Sequence, residues 1–287
     1  MSVCYKCLYK FAQSSLHDPR IMTPEDIQSA AQSLYQADQT GVQTGLLSIA
    51  HPGMTMDDAY EVQKALIDHH ISAGRSVIGW KIGLTSKAMQ AALNIDIPDS
   101  GVLLDNMLFD NGATVPAGRF IQPRIEAEIA FVMKQPLAGP DVGVEEVLAA
   151  TDYVVPSLEI LDTRILRIDP DSGKTRNICD TISDNAANGG IVLGDQKIDP
   201  ASADMRWMGA IVSRNGEVEE TGLGAGVLND PALGIAWLAN RLAQYGDTIK
   251  PGEIVLSGSF IRPVEAPSGS LIEADFGPYG MVSCRFA

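Results

Sequence analysis

The pattern of apolar and polar positions divides the chain into a helical beginning and a longer part with strand spacing. Residues 23–38 and 55–74 each begin with a threonine cap followed by acidic residues, which predicts two helices. A third helix is predicted from Pro231 to Gly246, a proline start and a glycine stop. Short apolar runs punctuated by glycine and proline predict strands at 77–82, 127–133, 153–161, 190–193, 207–212 and 254–256.

This arrangement predicts an α+β protein with one large β-rich domain. We expect a helical N-terminal segment over residues 23–75 and a β-rich domain, which carries the candidate chemistry, over residues 76–287. Residues 1–22 are expected to be an extension that is disordered or not native to the folded unit. The Asn215-Gly216 pair between two strand-like runs predicts a type I′ hairpin.

Charge and cysteine content narrow the classes of partner. The 287 residues include 21 Lys and Arg and 36 Asp and Glu, a formal net charge of −15. A negative field of this size disfavours nucleic acid and anionic membrane surfaces, so a small molecule is the expected partner. Four cysteines are too few for a disulfide framework, and no segment resembles a secretory signal, so we expect a cytoplasmic protein.

The most informative polar residues are three glutamates in apolar strands. Glu126 and Glu128 alternate with apolar residues and so share one face of a strand, and Glu159 lies in a second apolar strand about 30 residues later. Buried carboxylates repel each other, and a divalent cation relieves that repulsion. Three carboxylates without nearby His or Cys favour Mg²⁺ or Mn²⁺. A solvated sheet face is the alternative interpretation.

Lys81 is bracketed by apolar residues and glycines in the segment GWKIG. Loss of solvation in such a strand lowers the pKa of a lysine, which would suit it to proton transfer. A lysine that protects an edge strand from aggregation is the alternative.

Two further segments are rich in hydrogen-bonding groups. Residues 180–190, DTISDNAANGG, predict a polar loop, since such residues form turns more often than ligand sites. Ser257 and Ser259 follow a predicted strand in a segment that offers backbone N–H groups to a carboxylate, although a tight turn has the same composition.

Four segments, taken together and in order, resemble the hydratase and decarboxylase group of the fumarylacetoacetate hydrolase superfamily. They are GWKIGLTSKAMQ (79–90), PRIEAEIAFV (123–132), ATDYVVPSLEILD (150–162) and DTISDNAANGG (180–190). The resemblance begins near residue 23 and continues to the C-terminus, and residues 1–22 have no counterpart. It implies a mixed β-sheet roll wrapped by helices and a homo-oligomeric ring or larger assembly.

The resemblance also implies roles for particular residues. Glu126, Glu128 and Glu159 would hold Mg²⁺ or Mn²⁺, and Lys81 would transfer a proton. Asp105 would lie near the substrate, together with Ser183, Asp184 and Asn185. The Asp230-Pro231 pair departs from the His-Pro common in relatives, which puts any role of that side chain in doubt.

The implied reaction belongs to the catabolism of aromatic compounds. A 2-hydroxy-2,4-dienoate becomes a 2-oxo-enoate, to which water adds, while the metal offsets the charge of the substrate. A dicarboxylate needs a second cationic partner, for which Arg176 and Arg262 are the candidates because they flank the two polar segments. A decarboxylase with the same metal site, a hydrolytic or isomerising enzyme, and a non-catalytic structural subunit remain alternatives.

Overall fold

A computed structural model describes residues 22–87, 90 and 97–287. Six α-helices lie in these ranges: Pro24–Thr40 (α1), Leu47–Ala50 (α2), Met56–Ser72 (α3), Val144–Ala150 (α4), Ile178–Ser183 (α5) and Pro231–Ala243 (α6). The strands are Val77–Gly83 (β1), Asp99–Leu104 (β2), Leu108–Phe109 (β3), Ala113–Val115 (β4), Arg124–Met133 (β5), Thr151–Leu161 (β6), Asn188–Leu193 (β7), Gly209–Arg214 (β8), Glu217–Leu223 (β9), Ile254–Leu256 (β10), Val264–Glu265 (β11), Leu271–Asp275 (β12) and Met281–Phe286 (β13).

The strands form two mixed sheets, as expected for the α+β class. The larger sheet has the order β2-β1-β10-β5-β6-β7-β3, with β11 also paired to β5, and the smaller has the order β4-β13-β12-β8-β9. Pairing is parallel between β1 and β10 and antiparallel between β5 and β6. One apolar core joins both sheets and α6, and it includes Ile129, Phe131, Ile235, Leu238 and Ile272. The larger sheet is therefore covered on one face by this core.

The N-terminal helices confirm the capping signals. Thr23 with Asp26 and Thr55 with Asp58 form capping boxes at the starts of α1 and α3. Apolar residues of α1, α3 and α5 form a second core beside the larger sheet. No helix in the described ranges is both long and apolar enough to cross a bilayer. Residues 1–21, the greater part of the expected extension, lie outside the described residues.

Most predicted strands are present, with small differences in their bounds. The Asn215-Gly216 hairpin joins β8 to β9, and both residues have positive φ angles, 54° and 84°. The run predicted at 207–212 begins as a strand only at Gly209, and Trp207 lies exposed in the preceding turn. Strand β2 was not among the predicted strands, and it contributes to the site.

The segment 180–190 was wrongly predicted to be a loop throughout. Asn177 caps α5 by accepting hydrogen bonds from Cys179 and Asp180, so the segment begins as helix. The backbone then passes through positive φ angles at Asn185, Ala186 and Ala187 before it enters β7. A tight left-handed turn thus joins α5 directly to the larger sheet.

A buried ion pair holds this turn in place. The Arg164 guanidinium pairs through Nε with Asp184 Oδ1, and the backbone N–H of Arg164 donates to Asp184 Oδ2 at 2.9 Å. Arg164 Nη2 also donates to the carbonyl oxygens of Asp184 and Asn188 at 2.8 and 2.9 Å. Arg164 is 4% exposed and Asp184 is fully buried. The pair therefore tethers the segment after β6 to the start of β7.

Replacement of Asp184 by Asn should destabilise the fold because it leaves the buried Arg164 charge with only the more distant Asp38 carboxylate, at 3.9 Å, as counter-ion. We expect a loss of about 3 to 5 kcal/mol in the free energy of unfolding. Urea denaturation measures this change. The control is Asp68→Asn, which removes an exposed pair with Lys64 and should change stability by less than about 1 kcal/mol. Equal effects of the two variants would contradict the structural role of Asp184.

Candidate metal centre and active site

Three glutamates meet on one face of the larger sheet. Glu126 and Glu128 are two residues apart on β5, and the antiparallel register places Glu159 of β6 directly opposite Glu126. One carboxylate oxygen from each of the three lies within 4.8 Å of the others. The pairing of two strands thus brings together residues that are 31 or more positions apart in sequence.

The burial of these glutamates distinguishes the cluster from a solvent-exposed sheet face. Glu128 and Glu159 are fully buried, and Glu126 lines the cluster from a half-buried position. Glu128 Oε1 and both carboxylate oxygens of Glu159 have no hydrogen-bond partner among the described residues. Glu128 Oε2 accepts a 2.8 Å hydrogen bond from the backbone N–H of Gly258. The free oxygens, all hard ligands, fit a divalent cation of the Mg²⁺ or Mn²⁺ type.

The pKa values of the glutamates show the strain of burying like charges. Burial, followed by the charge of Glu159, raises the pKa of Glu126 to about 8. Burial and the charges of Glu159 and Glu126 raise the pKa of Glu128 well above its usual range. A bound cation would favour the ionised carboxylates, so metal binding and deprotonation are coupled at this cluster.

Lys81 is the cation that the fold itself supplies to the cluster. It is 3% exposed, and its Nζ lies 3.2 Å from Glu159 Oε1. Its register partner Leu256 in turn pairs with Ala130, so Lys81 lies on the same sheet face as Glu128. One ammonium against three carboxylates leaves the cluster short of positive charge.

Without a bound cation, the pKa of Lys81 is not shifted towards neutrality. Burial alone lowers the pKa of Lys81, but the charges of Glu159, Asp99, Glu126 and Glu128 outweigh burial and raise it above its ordinary value. The segment GWKIG shows the burial of Lys81 but not the carboxylates that surround it in the fold. Lys81 is therefore a protonated ammonium when the cluster holds no metal.

Asp99 is a site residue that the sequence analysis missed. It begins β2 opposite Gly83, is 1% exposed, and its Oδ1 has no hydrogen-bond partner among the described residues. A Cβ at Gly83 would lie 2.2 Å from Asp99 Oδ1 and 3.2 Å from Lys81 Nζ, so glycine permits the close approach. Burial raises the pKa of Asp99, opposed by the charges of Lys81 and Arg176. Asp99 and Lys81 thus form an acid and base pair beside the glutamates.

Asp105, expected near the substrate, follows the opposite end of β2. It is exposed, and its Oδ1 accepts a hydrogen bond from the backbone N–H of Ser76 at 3.1 Å. Asp105 is six positions after Asp99, roughly 20 Å along an extended strand. The structure therefore brings Asp99, and not Asp105, to the glutamate cluster.

The three polar residues after α5 have unequal capacity to bind a ligand. Asp184 is occupied by Arg164, and the Asn185 side chain accepts from Val102 N–H at 2.7 Å and donates to Val102 O at 2.9 Å. The buried Ser183 Oγ has no hydrogen-bond partner among the described residues. Asp184 and Asn185 thus fix the turn and β2, and Ser183 is the member with free hydrogen-bonding capacity.

The segment after β10 forms one wall of a cavity beside the cluster. This cavity has a volume of about 330 Å³, and its lining includes Glu126, Thr85, Ser259 and Arg262. Ser259 Oγ donates to Ile261 O at 2.9 Å, which closes a tight turn. The expected N–H donor of this segment is Gly258, and it serves Glu128 rather than a ligand.

Ser257 lies deeper than the other residues of this segment. Its backbone N–H donates to Ile129 O at 3.2 Å, and its buried Oγ has no partner among the described residues. Ser257 is not part of the cavity lining. The structure therefore places Ser259, and not Ser257, where a ligand of the cavity can reach it.

The two candidate arginines differ in their surroundings. Arg262 stands at the cavity rim with its side chain 84% exposed and pairs with Glu220 at 2.6 Å. Arg176 is half-buried, and its Nη1 donates to Thr163 Oγ1 at 2.9 Å. Its charge is near enough to Asp99 to oppose the rise in the pKa of that carboxyl.

Proteins of known function are similar in sequence to this chain over nearly its whole length. The chain is 50% identical over 256 residues to the 2-oxo-hept-4-ene-1,7-dioate hydratase of Escherichia coli, covering 89% of this chain and 96% of that protein. It is 40% identical to the 2-keto-4-pentenoate hydratase of Paraburkholderia xenovorans (strain LB400), covering 92% and 96%. No protein-family model matches the sequence.

Solved structures share the fold. The 4-oxalocrotonate decarboxylase of Pseudomonas putida G7, complexed with magnesium and adipate, superposes with a TM-score of 0.88 at 33% identity, covering 94% of this chain and all of that one. A fumarylpyruvate hydrolase of Pseudomonas aeruginosa has the same fold at 11% identity, with a TM-score of 0.54 and coverage of 72% and 88%. The chain belongs to the hydratase and decarboxylase group of the fumarylacetoacetate hydrolase superfamily.

Proposed function

We propose that this protein is a divalent-metal-dependent hydratase of aromatic catabolism, in the homoprotocatechuate pathway. It adds water to 2-oxo-hept-4-ene-1,7-dioate, formed from its 2-hydroxy-2,4-diene tautomer, and yields 4-hydroxy-2-oxoheptanedioate. The observation that carries the proposal is the buried cluster of Glu126, Glu128 and Glu159 beside Lys81 and Asp99, in a chain 50% identical to a hydratase of that substrate.

The carboxylate cluster suits Mg²⁺ or Mn²⁺. Glu126, Glu128 and Glu159 would hold the ion through their oxygens. Glu128 Oε1 and both Glu159 oxygens accept no hydrogen bond from the described residues, and Glu159 Oε1 also faces the Lys81 ammonium at 3.2 Å. When bound, the ion supplies positive charge for the substrate carboxylate and for the negative charge that develops on the C2 oxygen. The positive charge of the ion also explains how a chain of net charge −15 binds an anionic substrate.

Lys81 and Asp99 are the proposed proton-transfer residues. The carboxylates around Lys81 favour its protonated form, from which it can donate a proton to the substrate carbon that takes one up. Asp99, beside the Lys81 ammonium, keeps that ammonium in place and can accept the proton of the C2 hydroxyl. Ser183 and Ser259 remain proposed substrate contacts on the two sides of the cluster.

Decarboxylation is the second candidate activity. A 4-oxalocrotonate decarboxylase of Pseudomonas sp. (strain CF600) is 34% identical to this chain, and an ion at the same cluster could stabilise the enolate left by loss of CO₂. Hydration is favoured by the higher identity to a hydratase. A non-catalytic role is disfavoured because the three expected glutamates and the lysine are present at the site.

We also propose that the protein works in the cytoplasm as a homo-oligomer. The smaller sheet exposes large apolar side chains at Ile211, Val218 and Leu223, and the turn before β8 exposes Trp207, which suits contact with another copy of the chain. A groove lined by Trp207, Ile211 and Leu223 shares Thr221, Gly226 and Phe260 with the cavity beside Glu126. A second copy on this groove would therefore border the site.

The product distinguishes the two activities. With 2-hydroxyhepta-2,4-dienedioate and Mg²⁺, the protein should remove the dienol absorbance and form 4-hydroxy-2-oxoheptanedioate without CO₂. Chromatography with mass detection identifies the product, and a coupled assay measures CO₂. Stoichiometric release of CO₂ would establish the decarboxylase instead.

Mg²⁺ or Mn²⁺ should stabilise the protein against heat, because the ion compensates carboxylates buried only in the folded state. A concentration of 100 times Kd should add about 2.7 kcal/mol to the free energy of unfolding. Glu159→Gln should abolish most of this gain, whereas Glu273→Gln on β12 should retain it. Scanning calorimetry with and without chelator measures the gain. An undiminished gain in Glu159→Gln would remove Glu159 from the ligand set.

Lys81→Met should lower kcat by about 100- to 10,000-fold, since it removes the proposed proton donor. Mg²⁺ affinity should not fall, because the variant loses a positive charge beside the carboxylates. Steady-state kinetics and isothermal titration calorimetry measure the two quantities. Turnover that survives the substitution would show that another group transfers the proton.

A further inference from the structure

The arginines around the site differ in whether a carboxylate neutralises them. Four of them form ion pairs: Arg124 and Arg167 with Glu265, Arg164 with Asp184, and Arg262 with Glu220. Arg176 has no carboxylate within 4.0 Å among the described residues. Arg241 also acts on Asp99 without an ion pair among the described residues, but its guanidinium lies over aromatic rings, those of Tyr60, Trp237 and Tyr245. Arg176 has neither a carboxylate nor a ring as partner in the described part of the chain.

The surroundings of Arg176 leave its charge poorly compensated. Burial lowers the pKa of Arg176, and the neighbouring charges of Arg124 and Arg164 add to this effect against the attraction of Asp184. The bond from Nη1 to Thr163 Oγ1 holds one side of the guanidinium and leaves its other N–H groups for another partner. An arginine in this state suits bidentate binding of a carboxylate.

The location of Arg176 is limited by its bond to Thr163 and by its influence on Asp99, whose pKa its charge opposes. Thr163 follows Glu159 by four residues, so the two Cα atoms are at most about 14 Å apart. The Glu159 and Arg176 side chains, together with the five bonds of roughly 1.5 Å each between C2 and C7 of a heptanedioate, can bridge a span within this limit. A dioate held by C1 and C2 at the glutamates can therefore direct its far carboxylate towards Arg176.

We propose that Arg176 binds the far carboxylate of the substrate and so selects dioates over monocarboxylates, an inference that rests on the proposed hydratase function. Thr163 is the positioning residue that orients the guanidinium. Arg262, exposed and paired with Glu220 at the cavity rim, has no such role. Arg176 and Arg262, which the sequence left as equal candidates, thus differ in burial and in ion pairing.

The test uses two unreactive ligands that differ only in the far carboxylate, 2-oxoheptanedioate and 2-oxoheptanoate. In the presence of Mg²⁺, calorimetry should show that Arg176→Gln weakens binding of the dioate by about 10- to 100-fold, the range expected for one charge-assisted hydrogen-bonded contact. Binding of the monoacid should change by less than about threefold. The matched control, Arg262→Gln, should leave the preference for the dioate intact.

Kinetics give a second readout. On 2-hydroxyhepta-2,4-dienedioate, Arg176→Gln should raise KM much more than it lowers kcat, and its activity on 2-hydroxypenta-2,4-dienoate should be nearly that of the wild type. Arg176→Lys should restore part of the dioate preference. Thr163→Val, which keeps the arginine but removes its hydroxyl partner, should give a smaller loss confined to the dioate.

The outcomes separate this inference from the proposed function. If the wild type hydrates neither substrate, the proposed function fails. If the wild type hydrates the dioate but Arg176→Gln, Arg176→Lys and Thr163→Val lose activity equally on both substrates, Arg176 has only a structural role. Loss of the dioate preference in Arg262→Gln alone would assign the far carboxylate to Arg262.

Discussion

The structure depends on an excess of buried negative charge in its larger sheet. Glu126, Glu128 and Glu159 face Lys81 in an environment with little solvent, and one ammonium does not compensate three carboxylates. Such a cluster is unfavourable for folding unless a cation joins it. The same excess of negative charge makes the cluster a binding site, since relief of the repulsion between the carboxylates contributes to the free energy of metal binding. Stability and function are therefore coupled through one set of oxygens.

Alternation in the sequence was sufficient to predict that Glu126 and Glu128 share one strand face. Glu126 and Glu128 occur at the period of a strand, and an apolar strand around Glu159 implied a partner in the same sheet. Which strands pair, and in what register, is set by contacts between residues distant in sequence. For this reason the spacing left a solvated face as an equal alternative, and only burial in the folded chain decided between the two.

The remaining differences between the sequence-based predictions and the structure have local causes. Asp99 and Asp105 are both acidic residues next to the same apolar run, so a sequence does not show which end of β2 meets Lys81. The loop prediction for 180–190 failed because the cap of α5 is Asn177, three residues before the segment considered. The pKa of Lys81 differed from expectation because a sequence shows the burial of a lysine more readily than its distant counter-ions.

The groups proposed for chemistry and those proposed for recognition belong to different kinds of element. Lys81, Asp99 and the glutamates are on neighbouring strands, whose hydrogen-bonded register fixes their separations. Arg176 and Ser259 are on connecting segments that can vary in length without changing that register. Divergence of substrate chain length within such an enzyme lineage, or its redesign in the laboratory, can therefore proceed by exchange of connections while the reacting constellation is inherited unchanged.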